Sequence, residues 1–247
     1  MKILLELSYL GTGFAGFQVQ PGQPTVQAAL QDAIEAVYGE RYPVKGCSRT
    51  DAGVHALQYF ATFDTEKHIP PDKIPLALNS RLDERIAVRS AREVPPEFHV
   101  RHDVLWKEYE YVIRNTPIPD PFLVGRCARP PKFLGPAELF RIREACGAFV
   151  GRHDFCGFMS AGSTIADTVR DVKWLEIHED GTLLRVRIAA DGFLYNMVRI
   201  IVGTLLDTAC GRIEPADMAD IIASRDRSRA GFTAPPEGLY LRKVEFR

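Results

Sequence analysis

Apolar residues recur with two periods along this chain, and the switches between the periods mark out its elements. Ile3, Leu5, Leu7 and Tyr9 alternate with Leu4, Glu6 and Ser8, as a strand requires. A glycine-rich loop follows, from Gly11 to Gly16. Between Thr25 and Tyr38, Val26, Leu30, Ile34 and Val37 recur at helical spacing, and Gly39 is a stop signal. A short strand at 43–47, a buried strand at 57–63, a short helix at 71–79 and a strand at 86–94 complete the first half. The order β-α-β-β-α-β predicts a ferredoxin-like unit. The second half reads as a related unit with insertions. A strand at 105–114 precedes a loop rich in proline (Pro117, Pro119, Pro121, Pro130, Pro131). A helix at 136–149 buries Leu139, Ile142, Cys146 and Phe149. Strands at 169–178 and 182–189 form a hairpin around Asp180-Gly181, a helix covers 193–209, and a last strand covers 239–246.

Composition narrows this picture only a little. Lys and Arg number 31 against 32 Asp and Glu, a net charge of -1, which argues against a nucleic-acid coat protein with a large positive excess. An RNA enzyme with a local basic cleft remains compatible. The 5 cysteines are scattered and form no C-x-x-C pair, so neither a disulfide framework nor a zinc ribbon is expected, and a reducing cytoplasm fits. The opening MKILLELSYL reads as a strand rather than a signal peptide, because Glu6 interrupts its apolar run. The most apolar stretch, 193–206, is too short to span a bilayer and contains Arg199, so no membrane role is expected.

Several segments carry candidate chemistry. Gly11-Thr12-Gly13-Phe14-Ala15-Gly16 matches G-x-G-x-x-G after a strand, the pattern of a dinucleotide loop. That chemistry needs a helix N-terminus directly behind the loop, and Pro21 and Pro24 forbid one there. Ser48-Arg49-Thr50-Asp51-Ala52-Gly53-Val54-His55 gathers a hydroxyl, a cation, a carboxylate and an imidazole between two strands. It reads as a catalytic loop or as a polar turn in which Asp51 bonds nearby amides. A serine triad of Ser48, Asp51 and His55 is a weaker reading, since triad partners usually come from distant segments. Tyr109 and Tyr111 alternate with Glu108 and Glu110 and so share a sheet face, where ordinary packing accounts for them equally well. Arg199 lies on an apolar helix. It is either a buried guanidinium that needs a carboxylate or one member of a narrow solvent stripe with Asn196, Gly203 and Asp207. His153-Asp154-x-Cys156 and His99-x-x-His102 lack a four-ligand spacing, so no metal site is expected, and Asp154 reads as a turn carboxylate.

The segment Arg49-Thr50-Asp51-Ala52-Gly53-Val54-His55 resembles the catalytic motif of the tRNA pseudouridine synthase A family. Further blocks follow in the family's order. They are Tyr9-x-Gly-Thr-x-Phe-x-Gly-x-Gln-x-Gln, Ala77-Leu78-Asn79, Phe98-His99-x-Arg101 and Lys107-x-Tyr109-x-Tyr111, then Gly151-x-His153-Asp154-Phe155, Met197-Val198-Arg199 and Gly238-Leu239-Tyr240. The chain departs from the pattern at Leu10, where the family usually has Asp, and at Phe17, where Trp is common. Val100 stands for a usual Ala, Asp83 for a usual Pro, and Gln58-Tyr59 for Gly-Gln.

The resemblance implies an α+β pseudouridine synthase fold, with two ferredoxin-like halves (1–102 and 103–247) merging into one mainly antiparallel sheet with flanking helices. It implies isomerisation of uridine to pseudouridine in the anticodon stem-loop of tRNA, at positions 38, 39 and 40, by a cytoplasmic homodimer. Asp51 would be the nucleophile, Arg199 the guanidinium that holds it ionised, and Tyr109 the ring that stacks on the uracil and a candidate base. Arg49 would fill the space left by the everted nucleotide, and Phe98, His99, Arg101, Thr168 and Arg170 would contact RNA. The reaction exchanges one bond to the sugar for another, so no cofactor or metal is chemically necessary. Two other readings make different demands: a non-catalytic RNA-binding module does not need Arg49, Asp51 and Arg199, and a nucleotide-dependent oxidoreductase needs phosphate on the glycine loop.

Overall fold

In the computed structural model, which describes residues 1–162 and 165–247, the first strand does more than alternate. β1 (Lys2–Tyr9) buries Leu4 together with Ile3, Leu5, Leu7 and Tyr9, so apolar residues face inward on both sides of its first half. It pairs antiparallel with β3 (His55–Asp64), setting Leu5 opposite Ala61, and with β4 (Ile86–Val94), setting Leu5 opposite Ala91. The two-residue β2 (Lys45–Gly46) lies antiparallel on β3. The order β4-β1-β3-β2, all antiparallel, is that of a ferredoxin-like sheet. β9 (Leu239–Phe246) returns beside β3 in parallel, with Tyr240 opposite His55.

Two helices serve this sheet. α1 (Val26–Tyr38) is capped at its start by Thr25, whose hydroxyl accepts from the Ala28 amide, and ends at Gly39 in the left-handed region (φ 73). It buries Val26, Leu30, Ala33, Ile34 and Tyr38; Val37, expected on that face, lies only partly covered beside them. α2 (Ile74–Asn79) begins three residues later than the apolar pattern suggests, with Pro75 in its first turn, where a missing N–H costs nothing.

By internal contacts the chain forms two compact units, Met1–Leu105 with Tyr240–Arg247, and Trp106–Leu239. In the second, β5 (Val104–Arg114) pairs antiparallel with β8 (Leu183–Ala190), β8 with β7 (Val169–Asp180), and β7 with the short β6 (Gly151–Asp154). β6 is absent from the sequence reading because four residues with one β-branched neighbour carry no periodic signal. The β7–β8 hairpin turns at Gly181 (φ 60), next to the paired Asp180 and Leu183. β5 is buried on both faces from Glu108 onward, so its alternation of Tyr and Glu does not mark a wet side. Glu110 is held there by Arg185 (2.9 Å) and Arg187 (2.7 Å).

α3 (Pro136–Cys146) ends earlier than predicted, in a 3₁₀ turn at Gly147–Phe149, and its first amide at Gly135 donates to Glu138 (3.1 Å). It packs on α4 (Met197–Ala209), and Arg141 donates to the Thr208 carbonyl (2.9 Å) at the end of that helix. A further helix, α5 (Met218–Ser224), is too short for a period to show in the sequence. α4 starts four residues later than the apolar run suggests, because Asn196 takes a left-handed conformation (φ 61) just before it. The described residues contain no helix long and apolar enough to cross a membrane.

Candidate active site

In the first unit, the loop at 48–55 and the glycine loop at 11–16 are built into each other. A Cβ on Gly11 would lie 2.0 Å from the Val54 carbonyl oxygen, and one on Gly16 would lie 2.4 Å from that of Thr50. Only glycine allows this approach. The Phe17 amide donates to the Thr50 carbonyl (3.1 Å) and the Gly53 amide to that of Phe14 (3.2 Å). Gly11 and Gly16 of the G-x-G-x-x-G pattern therefore hold another loop rather than cradling a phosphate, and no helix begins before Val26.

Asp51 sits at the head of a β-turn in which its carbonyl accepts from Val54 (3.1 Å) and Gly53 takes φ 77. Ala52 beside it is exposed, leaving room for a ligand to approach. On the inner side, the Tyr9 hydroxyl is 2.8 Å from that of Thr50, and Tyr59 donates to the Ser48 carbonyl. Tyr59 stacks on Phe17, with ring centres 4.4 Å apart, and both rings are buried. His55 is fully buried, stacked on Tyr240, and its Nδ1 accepts from the Gly11 amide (2.9 Å). A triad histidine must donate from that nitrogen to its carboxylate, so this one positions the loop and the serine-triad reading fails.

Arg49 shares a concavity of about 330 Å³ with Lys45, His99, Arg101 and His102. Burial, and after it the neighbouring His102 and Lys45, lower the His99 pKa. The turn that carries these residues is closed by Asp103, whose carboxylate accepts from the His99 amide (2.8 Å). Phe98, partly exposed, packs on Phe246, with ring centres 5.3 Å apart. Among the described residues no three His, Cys, Asp or Glu side chains gather where a metal ion could be held.

In the second unit, the two tyrosines of β5 have different fates. Tyr111 donates to the Pro235 carbonyl (2.7 Å), and burial raises its pKa far above the ordinary tyrosine range, so it is a structural phenol. Tyr109 meets Phe193 edge-on at 4.9 Å. Arg199 is half-buried in the first turn of α4; its Nε donates to the Ala234 carbonyl (2.7 Å) and its Nη1 to Asn196 Oδ1 (2.7 Å). The solvent-stripe reading fails in this unit, because Gly203 and Asp207, which complete the stripe, are buried. What covers them is the segment 231–234. A Cβ on Gly203 would fall 1.7 Å from the Phe232 carbonyl oxygen, and one on Gly231 would fall 2.6 Å from the Thr204 backbone. Sequence reading missed this cradle, although Gly203 in the middle of an otherwise apolar helix was a signal for it.

Thr168 donates to Asp154 Oδ1 (2.6 Å), which also accepts from the Cys156 amide, while Asp154 Oδ2 pairs with Arg225 (3.0 Å). These partners, Thr168 first, hold the Asp154 carboxyl below the usual range, as suits a turn carboxylate. Arg170 donates to the carbonyls of Asp167 (3.0 Å) and Val169 and borders Gly192.

Set beside known proteins, residues 7–103 and 145–247 match the family model described as tRNA pseudouridine synthase. A protein named tRNA pseudouridine synthase A from Brevibacillus brevis is 44% identical over 245 residues, covering 99% of both chains. Proteins of the same name are 42% identical in Bacillus licheniformis, over 246 residues (99% of this chain, 98% of the relative), and 39% identical in Ruminiclostridium cellulolyticum, over 246 residues (99% of each).

Proposed function

Because the chain belongs to the tRNA pseudouridine synthase family, we propose that it isomerises uridine to pseudouridine in the anticodon stem-loop of tRNA, at positions 38, 39 and 40. The observation that carries this reading is likeness over nearly the full length of relatives that bear that name. The reaction breaks the bond from uracil N1 to ribose C1′ and forms one from C5 to C1′. The C5 proton goes to solvent and N1 gains one, so atoms and electrons balance without a co-reactant.

Asp51 is the nucleophile of this proposal, and a carboxylate can serve when it is ionised and partly withdrawn from water. Its seat in a turn clamped by Gly11 and Gly16 supports the role, because the backbone that carries it has little freedom. Arg199 supplies the guanidinium that favours the ionised carboxylate, and Tyr109 the ring on which the uracil stacks, worth about 1–3 kcal/mol per base. A uridine in a stem must be everted to react, at a cost of a few kcal/mol. Arg49, exposed two residues before Asp51, fills the vacated space. His99, Arg101 and Phe98, with Thr168 and Arg170, contact the RNA, and the concavity that Arg49 shares with His99 and Arg101 supports a phosphate-binding role for that group. The protein works in the cytoplasm as a homodimer.

The test is release of tritium from an unmodified tRNA transcript labelled at uridine C5. The proposal expects release from a transcript with uridine at 38, 39 or 40 and none when all three are cytidine. Release that ignores those positions, or no release from any tRNA, contradicts it.

A further inference from the structure

Among the described residues, Asn196 is one of two non-glycine residues with positive φ (the other is Arg225), and it stands immediately before the helix that carries Arg199. Asparagine tolerates the left-handed region better than most residues, but glycine would occupy it without strain. The side chain must therefore contribute something that glycine cannot. Both ends of its carboxamide are engaged: Oδ1 accepts from Arg199 Nη1 (2.7 Å), and Nδ2 donates to Ser160 Oγ (2.9 Å). The orientation of the amide follows from chemistry, since a guanidinium has only donors and the oxygen must face it. On the other edge of the same guanidinium, Nε donates to the Ala234 carbonyl (2.7 Å). Two bonds from different nitrogens of one rigid plane fix both its position and its tilt.

We propose that Asn196 is a positioning residue for the reaction, setting the plane of the Arg199 guanidinium through its side-chain oxygen and being held in turn by Ser160. This rests on the reading of Arg199 given above. Without Asn196, the guanidinium loses one of the bonds that fix its plane, and a cation whose value lies in its direction loses much of its effect. The fold should survive, because Asn196→Gly keeps the left-handed backbone and relieves its strain, which offsets part of the cost of the two lost side-chain bonds.

The experiment measures tritium release under single- and multiple-turnover conditions for wild type and for Asn196→Gly, Asn196→Asp, Arg199→Ala, Arg199→Lys and the Asn196→Gly/Arg199→Lys double variant, each with a thermal melt. Asn196→Gly should lose about tenfold in kcat with KM within about twofold and still melt cooperatively, the pattern of an interaction used in the transition state. Asn196→Asp, which keeps the acceptor oxygen, should return to within about threefold of wild type. In the Arg199→Lys background, where the guanidinium is gone, the glycine should cost less than about twofold. Wild-type kcat for Asn196→Gly, or an equal loss in both backgrounds, overturns the proposal while the reading of Arg199 stands. Full turnover by Arg199→Ala sinks that reading, and the proposal with it.

Discussion

Asp154 shows how much one side chain can organise. Its two oxygens reach Thr168, the Cys156 amide and Arg225, tying the end of β6 to the start of β7 and to the left-handed Arg225 that closes α5. The Thr168 hydroxyl, ahead of the other partners, favours the ionised carboxyl and depresses its pKa. A depressed carboxylate contributes stability that is fully present above its unfolded value, near 3.9, and that fades as pH falls through the folded value. Wild type should therefore exceed Asp154→Asn in Tm at neutral pH, and the gap should narrow steadily from about pH 4 downward. A gap that stays constant to pH 2.5 would show that the carboxylate's charge does not matter there. The reading of Asp154 as a turn carboxylate could be made from sequence, since an acid followed closely by an amide is local chemistry. Its pairing with Arg225 could not, because 71 residues separate the two.

At the level of elements, α4 sets a propensity rule against a packing rule. Replacing glycine by alanine inside a helix ordinarily gains about 0.5–1 kcal/mol. At Gly203 the added methyl would meet the Phe232 carbonyl oxygen at 1.7 Å, and that oxygen belongs to backbone. Overpacking of this kind typically costs about 1–3 kcal/mol. Gly203→Ala should thus be destabilised by at least about 1 kcal/mol in urea unfolding, and the role proposed for Arg199 predicts that turnover falls too, because the 231–234 segment carries the Ala234 carbonyl to which Arg199 donates. A stabilised Gly203→Ala would mean that this segment does not rest on the helix. The long elements were legible in advance: β1, α1, β4 and the β7–β8 hairpin follow from period and turn residues. The short β6 and α5 were not, because neither is long enough to show a period. The stripe of Asn196, Arg199, Gly203 and Asp207 was open to two readings for a physical reason. Small and polar residues on one helix face mark either water or a close-lying backbone, and only the fold tells which. The glycine loop is a similar case, a phosphate-like pattern that serves to hold the loop of Asp51.

For the whole molecule, a net charge of -1 means that any affinity for RNA must come from local clusters of cations. Lys45, Arg49 and Arg101 around one concavity form such a cluster. The affinity for tRNA should fall with salt, and Arg101→Gln should weaken binding to all tRNAs alike while lowering the slope of log K against log salt by about 1. An unchanged slope would place the phosphate contacts elsewhere. Of the candidate residues, the loop of Asp51 stood out in sequence because its chemistry is contiguous. The carbonyl of Ala234 and the support from Asn196 did not, because a backbone oxygen has no signature and an asparagine before a helix looks like an ordinary cap. The most direct test of the function replaces Asp51 by Asn, nearly the same shape without the negative charge. Wild type should release tritium from C5-labelled tRNA, whereas Asp51→Asn should bind the same tRNA with similar affinity and release none. Release at the wild-type rate by Asp51→Asn would contradict the account.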